Sequence, residues 1–513
     1  MAKAALAVTL STVTAPAAAD DRALVSLDSG PVRGLIVGNY ARFLGIPYAA
    51  APVGPLRWAP PRIPAPWMSI RRATAFANTC PQKNSSGVFA RPSVTEDCLY
   101  LNVFANLPSK TLRPVLVWIH GGGLFSGESD DYDARKLVER GKLVVVTFNY
   151  RLGRLGYFPR DGHRGDGPDI ANFGLMDQQF ALQWVRRNIR VFGGDPRNVT
   201  IDGQSAGGES VYALLASPAG AGLFHRAIAQ SGGYTPHMPS RAEAAPKGNA
   251  FASAVGCPDQ SLQCLRGVSV ENLLAAQNDV DTALVVDGET IPLSFDIAFA
   301  QGRFNHVPVM SGTTRDEALW FLALEGFRGG ASNNGGRHLA ELKTLYGADA
   351  EKVLIEYPLE RFGSSASAIG VSETDLRFAC PQLQFDNPIS HWVASFRYAF
   401  NDTSAPDYMP YAGFPLGASH TFELSYLFPG FHGATGAPRR LDARQRRLSD
   451  AMITYWARFA ASGAPGGGTG LPVWRAASVR ALSLQSPRPT LVEEAPSQHH
   501  CTFWKTLGLL APQ

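Results

Sequence analysis

The sequence predicts an α/β protein with a mostly parallel central sheet flanked by helices, and three observations support this. Short apolar runs, typical of buried strands, alternate with longer segments that have helical periodicity. Glycine-rich turns follow two of the apolar runs, as expected where strands end at a ligand-binding edge. The 513 residues are 45% hydrophobic and 18% charged, which fits a large buried core and argues against disorder.

The N-terminal part of the chain is expected to lie outside the central sheet. Residues 1–19 contain Lys3, a weakly apolar alanine-rich run and a small-residue end, a pattern that resembles a secretory signal peptide; a disordered tail is the alternative. Residues 20–513 are assigned to a single domain, since no repeat or clear linker interrupts them. Alternating residues from Leu24 to Val37 predict an N-terminal hairpin. The proline-rich segment through Pro66 predicts an extended arm over the main body.

The first strand-and-turn unit of the predicted sheet carries three consecutive glycines. Residues 114–119 form an apolar run that indicates a buried strand, and His120 and the glycines follow it directly. Side chains at Gly122 and Gly123 would block an approaching anion, whereas bare backbone N–H groups could hold a developing oxyanion. We therefore interpret this turn as anion-stabilising, with an ordinary flexible turn as the alternative.

The central motif of the chain lies between a β-branched run and a predicted helix. Residues 203–207 match G-x-S-x-G, a sharp strand-to-helix turn that exposes the serine hydroxyl. The following segment, Glu209 to Ala216, is typical of a helix, whose positive dipole end would lie near Ser205. Ser205 is therefore the candidate nucleophile.

The remaining elements continue the alternation of strands and helices. Strands are predicted at residues 143–148, 227–229, 307–310 and 394–400, helices at residues 175–192 and 447–460, and surface loops at residues 326–336 and 463–470.

Charge and motif content exclude several functions. The formal charge of +4 is small and no basic stripe occurs, so no nucleic-acid partner is expected. No segment after the N-terminus is apolar for long enough to span a membrane. There is no H-E-x-x-H pattern and no clustered set of metal ligands, so neither a metal nor a cofactor is predicted.

Six cysteines form an even set without a C-x-x-C pair: Cys80, Cys98, Cys257, Cys264, Cys380 and Cys501. With the signal-like N-terminus, an even set favours disulfides in a secreted or periplasmic protein. Reduced core thiols in a cytosolic enzyme are the alternative, and counting leaves the pairing open.

A serine nucleophile needs a base and an acid that orients the base. In this architecture the chain order is serine, acid, histidine. His420, after a run of small residues, is the best base candidate and His432 the second, whereas His499 and His500 are typical of solvated or packing residues. Asp316 and Glu317 follow a short strand in the required interval, and the residues alone do not choose between these two acids.

Several stretches together resemble the type-B carboxylesterase and cholinesterase family of α/β-hydrolases, over about residues 25 to 510. The matching stretches are residues 43–48, 96–102, 120–123, 149–153, 203–207, 224–228, 316–317 and His420. The resemblance implies the α/β-hydrolase fold, with helical and loop insertions over the active site.

The resemblance also implies roles for individual residues. Ser205 would be the nucleophile, Glu317 the acid and His420 the base. The oxyanion hole would be formed by the N–H groups of Gly122, Gly123 and Ala206, while Gln204 and Ser231 would lie beside the catalytic groups. The implied disulfides are Cys80–Cys98, Cys257–Cys264 and Cys380–Cys501.

The sequence departs from the family pattern at four points, two of which bear on the substrate. Gln204 stands where the family usually has glutamate, which weakens attraction for cationic groups. No tryptophan lies between Cys80 and Cys98, so cholinesterase activity is not expected. Ala318 and Thr421 replace glycines that usually follow the acid and the base, and they are interpreted as loop adjustments.

The predicted function is hydrolysis of small-molecule carboxylic esters through an acyl-enzyme intermediate. A fumonisin-type esterase that releases tricarballylate side chains is one alternative, motivated by Gln204 and the basic charge balance. A lipase and a non-catalytic adhesion member of the fold are others. The sequence gives no indication of the oligomeric state.

Overall fold

The computed structural model describes residues 23–83, 91–106, 111–160, 170–326, 335–408, 412–431, 440–468, 470–476, 480–493 and 496–510. His432, the second candidate base, and residues 1–19 lie outside these ranges.

An eleven-stranded sheet forms the centre of the molecule. Its strands are, in chain order, β3 (Leu35–Val37), β4 (Tyr40–Pro47), β6 (Tyr100–Ala105), β7 (Arg113–Ile119), β8 (Val144–Phe148), β9 (Gly194–Gln204), β10 (Arg226–Gln230), β11 (Val309–Thr314), β12 (Ser395–Phe400), β15 (Arg480–Leu484) and β16 (Thr490–Glu493). Their order in space is β16-β15-β12-β11-β10-β9-β7-β8-β6-β4-β3. The pairs from β8 through β15 are parallel, and the strands at both edges are antiparallel.

Helices cover both faces of the sheet, as the alternation of strands and helices predicts. Along β7, Val115 and Val117 belong to one apolar cluster and Leu116 and Trp118 to another. Successive strand residues point to opposite faces, so the two clusters are the cores above and below the sheet.

The helices vary from one turn to more than five turns. They are α1 (Arg135–Glu139), α2 (Gly153–Gly156), α3 (Phe173–Asn188), α4 (Ala206–Ala216), α5 (Arg241–Ala254), α6 (Leu262–Gly267), α7 (Val270–Ala276), α8 (Phe295–Ala300), α9 (Glu317–Leu324), α10 (Gly335–Tyr346), α11 (Ala350–Glu356), α12 (Leu359–Phe362), α13 (Ser365–Thr374), α14 (Cys380–Trp392), α15 (Leu424–Leu427), α16 (Ala443–Ser462) and α17 (Cys501–Thr506). A π-helical turn, Asp375–Ala379, connects α13 to α14.

The predicted N-terminal hairpin is confirmed, because β1 (Leu24–Leu27) pairs antiparallel with β2 (Gly30–Arg33). The short strand β5 (Arg71–Arg72) joins β2 on its other side. The proline-rich arm lies between β4 and β5 in the chain and contains a short 3₁₀ turn, Gly54–Leu56.

The two predicted glycine-rich surface loops are partly wrong. Gly335 and Gly336 begin α10, and residues 327–334 lie outside the described ranges. Gly466–Gly468 forms β13, which pairs with β14 (Leu471–Trp474). At Gly468 a Cβ atom would lie 3.0 Å from the Arg458 guanidinium, so the small residue permits close packing on α16. Close packing therefore accounts for Gly468, whereas Gly466 and Gly470 have open space around them and positive φ angles, as in turns.

Three disulfides connect Cys80 to Cys98, Cys257 to Cys264 and Cys380 to Cys501, which are the pairs that the family resemblance implies. The last bond ties α14 to α17 across 121 residues of sequence. In the described ranges no helix has the length and apolarity needed to cross a membrane. Among the same residues no group of His, Cys, Asp and Glu side chains could hold a metal ion.

Candidate active site

Ser205 occupies a strained turn at the carboxyl end of the central strand β9. Its backbone angles are φ 57° and ψ −127°, a region that residues with a side chain rarely adopt. The turn is so tight that a Cβ atom on Gly207 would lie 2.0 Å from the carbonyl oxygen of Ile119. A Cβ atom on Gly203 would lie 2.4 Å from the carbonyl oxygen of Gly207. The glycines of the motif are therefore required by close backbone approach.

The glycine turn after β7 lies against this serine. Gly122 and Gly123 both have positive φ angles, 106° and 62°. The Gly122 carbonyl accepts hydrogen bonds from the N–H groups of Phe125 (3.1 Å) and Ser126 (2.9 Å), which fixes the orientation of the turn. A Cβ atom on Gly121 would lie 3.0 Å from the Cβ atom of Ser205. Only glycine permits the turn to approach the serine this closely.

His120 anchors the start of the glycine turn as an uncharged residue. Burial lowers the pKa of His120 to about 4. Its Nδ1 atom donates a hydrogen bond of 2.9 Å to the Gly121 carbonyl, and its ring stacks on Tyr150 with centroids 4.4 Å apart. The Tyr150 hydroxyl donates to the His120 carbonyl at 2.8 Å.

The structure separates the two candidate acids that the sequence left open. Glu317 is fully buried at the start of α9, and its Oε2 atom lies 2.5 Å from Nδ1 of His420. Its Oε1 atom accepts a hydrogen bond of 2.7 Å from the Thr314 N–H group. Asp316 instead accepts hydrogen bonds from the Arg315 guanidinium and the Ala418 N–H group, both at 2.8 Å. Glu317 contacts the histidine, and Asp316 fixes the loop that carries it.

Three aromatic rings hold His420 from the other directions. The ring centroids of Trp320, Phe321 and Phe378 lie 5.6, 5.0 and 5.5 Å from that of His420. The side chain of His420 is almost fully buried. The loop turns sharply after it, since Thr421, where the family usually has glycine, has φ 73°.

Gln204 and Ser231 occupy different positions around these groups. The Gln204 Nε2 atom lies 3.3 Å from Nε2 of His420. Because the Nδ1–H group of His420 is directed at Glu317, Nε2 is the acceptor nitrogen and the Gln204 amide donates to it. Ser231 is buried at φ 48° after β10, and its N–H group donates to the Gly312 carbonyl of β11 at 2.7 Å.

Ser205 and His420 face a cavity of about 1040 Å³. Its walls are mostly apolar and aromatic, formed by Gly122, Gly123, Phe125, Ser126, Tyr234, Pro236, Val280, Trp320, Phe321, Leu324, Leu376, Phe378, Pro381, Leu509 and Leu510. Three charged residues also line it: Asp279, Glu325 and Arg377. The π-helical turn supplies Leu376, Arg377 and Phe378, and such turns are frequent at functional sites.

Sequence reasoning missed Tyr234, Glu209 and the π-helical turn. Tyr234 lines the cavity beside Ser205, and its hydroxyl donates a hydrogen bond of 3.2 Å to the buried Oε2 atom of Glu209. The available signal was Glu209 itself, the one charged residue of α4, which lies one helical turn after the candidate nucleophile Ser205. His499 and His500 lie away from the cavity, paired with Asp375 and Glu356, in agreement with a packing role.

The succession Ser205, Glu317 and His420 along a mostly parallel sheet is the chain order of α/β-hydrolases. The class of protein is therefore an α/β-hydrolase with a serine at the strand-to-helix turn.

Comparison with known proteins gives the family. The Carboxylesterase family model matches residues 21–504, and the chain belongs to this family of carboxylic-ester hydrolases. Para-nitrobenzyl esterase of Bacillus subtilis (strain 168) is 37% identical over 86% of this chain and 90% of its own length. Acylcarnitine hydrolase of Mus musculus is 34% identical over 91% of this chain and 86% of its own. The solved structure of a thermophilic PNB esterase has a TM-score of 0.77 at 33% identity, covering 93% of this chain and 99% of that one.

Proposed function

We propose that Ser205, His420 and Glu317 are the catalytic triad of this carboxylesterase. The observation that carries the proposal is the 2.5 Å contact between Glu317 and Nδ1 of His420, made beside the cavity that His420 shares with Ser205. A buried carboxylate in this place fixes the tautomer of the imidazole and stabilises its positive form.

The reaction proceeds in two steps. In acylation, His420 Nε2 takes the proton of Ser205 while Oγ attacks the ester carbonyl, and the proton then passes to the leaving alcohol. In deacylation, water gives a proton to His420 and attacks the acyl carbon, and Ser205 recovers its proton. Gln204 donates to the same Nε2 atom in the resting enzyme, so it competes with Ser205 for that lone pair.

The oxyanion hole is assigned to the N–H groups of Gly122, Gly123 and Ala206. Ala206 is the first residue of α4, and the first N–H groups of a helix have no partner within it. The Gly122 carbonyl is occupied by Phe125 and Ser126, which holds the glycine turn rigid before substrate arrives. Each such donor contributes on the order of 3 kcal/mol to transition-state stabilisation.

The substrate class proposed is neutral esters with apolar or aromatic groups. The cavity walls are dominated by aromatic and aliphatic side chains. The names of the relatives, a para-nitrobenzyl esterase and an acylcarnitine hydrolase, also indicate small ester substrates.

The polycarboxylate alternative finds less support in the charges of the cavity. Arg377 is a cation at the wall, but it pairs with Glu373 and lies over the Phe321 ring, 5.2 Å from its centroid. Glu325 lines the same cavity and would repel an anionic acyl group, while the third charged residue of the wall, Asp279, pairs with Lys83.

The remaining proposals concern organisation and location. Residues 20–513 are proposed to act as one domain, since the family model spans nearly all of them. Three disulfides fit an oxidising compartment, so we propose a secreted or periplasmic protein.

The direct test is Ser205→Ala with p-nitrophenyl butyrate as substrate. We expect turnover to fall by at least about 10³-fold, because the nucleophile is lost. Circular dichroism and thermal unfolding of the same preparation serve as the folding control. Turnover near that of the wild type would overturn the assignment, and a comparison of the same ester with a tricarballylate ester separates the two substrate classes.

A further inference from the structure

A second hydroxyl group faces the candidate nucleophile. Tyr234 follows Gly233 beyond the end of β10 and lines the cavity together with Ser205 and His420. Its ring packs edge-on against Phe378, with centroids 5.8 Å apart. Phe378 also contacts His420, so one aromatic residue holds both rings that border Ser205.

The hydrogen of the Tyr234 hydroxyl is directed away from the cavity. It is donated to Oε2 of Glu209 at 3.2 Å. Glu209 is 5% exposed and fixed on α4, where its N–H group donates to the Ser205 carbonyl at 2.9 Å. A phenol has one hydrogen and two lone pairs, so the oxygen of Tyr234 is left as a hydrogen-bond acceptor towards Ser205.

The electrostatic surroundings keep this arrangement in place. Burial raises the pKa of Tyr234 well above its usual value, the Glu209 carboxylate raises it further, and a hydrogen bond with Ser205 lowers it in part. The phenol therefore stays protonated. Glu209 retains an acceptor oxygen whether or not it carries a proton.

We propose that Tyr234 positions the water that hydrolyses the acyl-enzyme, by accepting that water's second hydrogen on its phenol oxygen. The proposal rests on the function assigned to Ser205. One hydrogen of the water passes to Nε2 of His420 as the water oxygen bonds to the acyl carbon. The second hydrogen stays on that oxygen and donates to Tyr234. The acyl–Oγ bond then breaks, and His420 returns the proton to Ser205.

The same geometry predicts that the two steps differ in their need for Tyr234. In acylation the single hydrogen of Ser205 Oγ leaves its hydrogen bond with the phenol and passes to His420, so the transition state has no hydrogen left for the phenol to accept. In deacylation the nucleophile has two hydrogens and needs two acceptors. Removal of the phenol oxygen should therefore slow hydrolysis of the acyl-enzyme and leave its formation nearly unchanged.

The test uses Tyr234→Phe and partitions the butyryl-enzyme, formed from p-nitrophenyl butyrate, between water and added methanol. Methanol has one hydrogen on oxygen, so its attack does not need the second acceptor. We expect the rate constant for hydrolysis to fall about tenfold, the value for one lost hydrogen bond. The ratio of methyl butyrate to butyrate should rise about tenfold, while kcat/KM, which reports acylation, should not fall below about half of the wild-type value.

The matched control is Tyr100→Phe. The Tyr100 hydroxyl also donates to a carboxylate, Oδ2 of Asp97 at 3.1 Å, and Tyr100 does not line the cavity. Its product ratio should equal that of the wild type. Glu209→Leu should raise the ratio in the same direction as Tyr234→Phe, because the phenol hydrogen then turns towards the cavity.

The product ratio is measured per acyl-enzyme, so partial misfolding of a variant does not alter it. An unchanged ratio in Tyr234→Phe overturns the proposal and leaves the triad standing. An equal fall in acylation and hydrolysis would also overturn it, since a general distortion of the site affects both steps. Turnover of Ser205→Ala near that of the wild type would instead remove the proposed function.

Discussion

Two buried glutamates, Glu317 and Glu209, each lie in the first turn of a helix that follows a strand of the central sheet. Glu317 begins α9 after β11, and Glu209 lies in the first turn of α4 after β9. Each carboxylate holds a ring that faces the cavity: the imidazole of His420 for Glu317, and the phenol of Tyr234 for Glu209.

The two glutamates differ because the ring that each one holds differs in its ability to accept a proton. In the proposed mechanism the imidazole of His420 takes up a proton from Ser205 and becomes positive, so the Glu317 charge would stabilise a form that exists only during the reaction. The phenol stays neutral, so the Glu209 carboxylate orients its hydroxyl. In this proposal, similar placement in the first turn of a helix thus gives one carboxylate an electrostatic role and the other an orienting role.

The largest effect is expected for Glu317→Gln. Glutamine has one oxygen, whereas Glu317 accepts hydrogen bonds from both the Thr314 N–H group and His420. One of these donors would face an NH₂ group, and the negative charge beside the imidazole would be lost. We expect kcat/KM with p-nitrophenyl butyrate to fall by about 10³- to 10⁴-fold. Glu209→Gln is the matched control. An equal fall of kcat/KM in Glu209→Gln would show that the two glutamates do not differ in role.

A second prediction concerns the pH dependence of stability. Burial raises the pKa of Glu209 from 4.5 to about 7. Between these values the folded protein retains a proton that the unfolded chain releases, so this group lowers the free energy of unfolding as pH rises from about 4.5 to 7. The loss is on the order of 3 kcal/mol. Glu209→Gln should therefore lose less stability than the wild type between pH 5 and pH 8, as measured by chemical denaturation at both pH values. An equal loss of unfolding free energy in Glu209→Gln and the wild type would contradict the raised pKa of Glu209.

Phe378, which contacts both of these rings, gives a third prediction. Phe378 packs on both His420 and Tyr234. Phe378→Leu keeps an apolar group there but removes the ring contacts, each worth about 0.5–1.5 kcal/mol. We expect acylation and deacylation rate constants both to fall, by up to about tenfold, in stopped-flow measurements. A change confined to one step would show that Phe378 serves only one of the two rings.

The smallest effect on activity is expected for Asp316→Asn. Asp316 adjoins Glu317 but contacts Arg315 and the Ala418 N–H group, and an asparagine oxygen can still accept from the latter. We expect kcat/KM to stay within about threefold, with a decrease in the unfolding free energy of about 1–2 kcal/mol. A loss comparable to that of Glu317→Gln would reverse the assignment of the acid.

Sequence reasoning identified the parts of this site that depend on local patterns. The turn around Ser205 needs glycines at fixed positions, because Gly203 and Gly207 touch neighbouring backbone, and such needs are visible in a sequence. The same holds for the glycine turn at Gly122. Buried parallel strands such as β8 are equally visible as continuous apolar runs.

Other features depend on contacts between distant segments. The choice of Glu317 over Asp316 required either the family resemblance or the observed contact with His420, since both residues are carboxylates at adjacent positions. Tyr234 is one of 15 tyrosines, and nothing local marks it as the one beside Ser205. Glycines 466–468 were predicted to form a loop because a run of glycines carries no strand pattern, and their pairing with β14 depends on the residues that follow them.

The central claim is that Ser205 carries the acyl group, and mass spectrometry of the rapidly quenched enzyme tests it most directly. After brief mixing with p-nitrophenyl butyrate, peptide mapping should find one butyryl group on the peptide containing Ser205. Glu317→Gln should accumulate it far more slowly, and Tyr234→Phe should accumulate it at the normal rate and retain it longer. A butyryl group on a peptide that does not contain Ser205 would contradict the account.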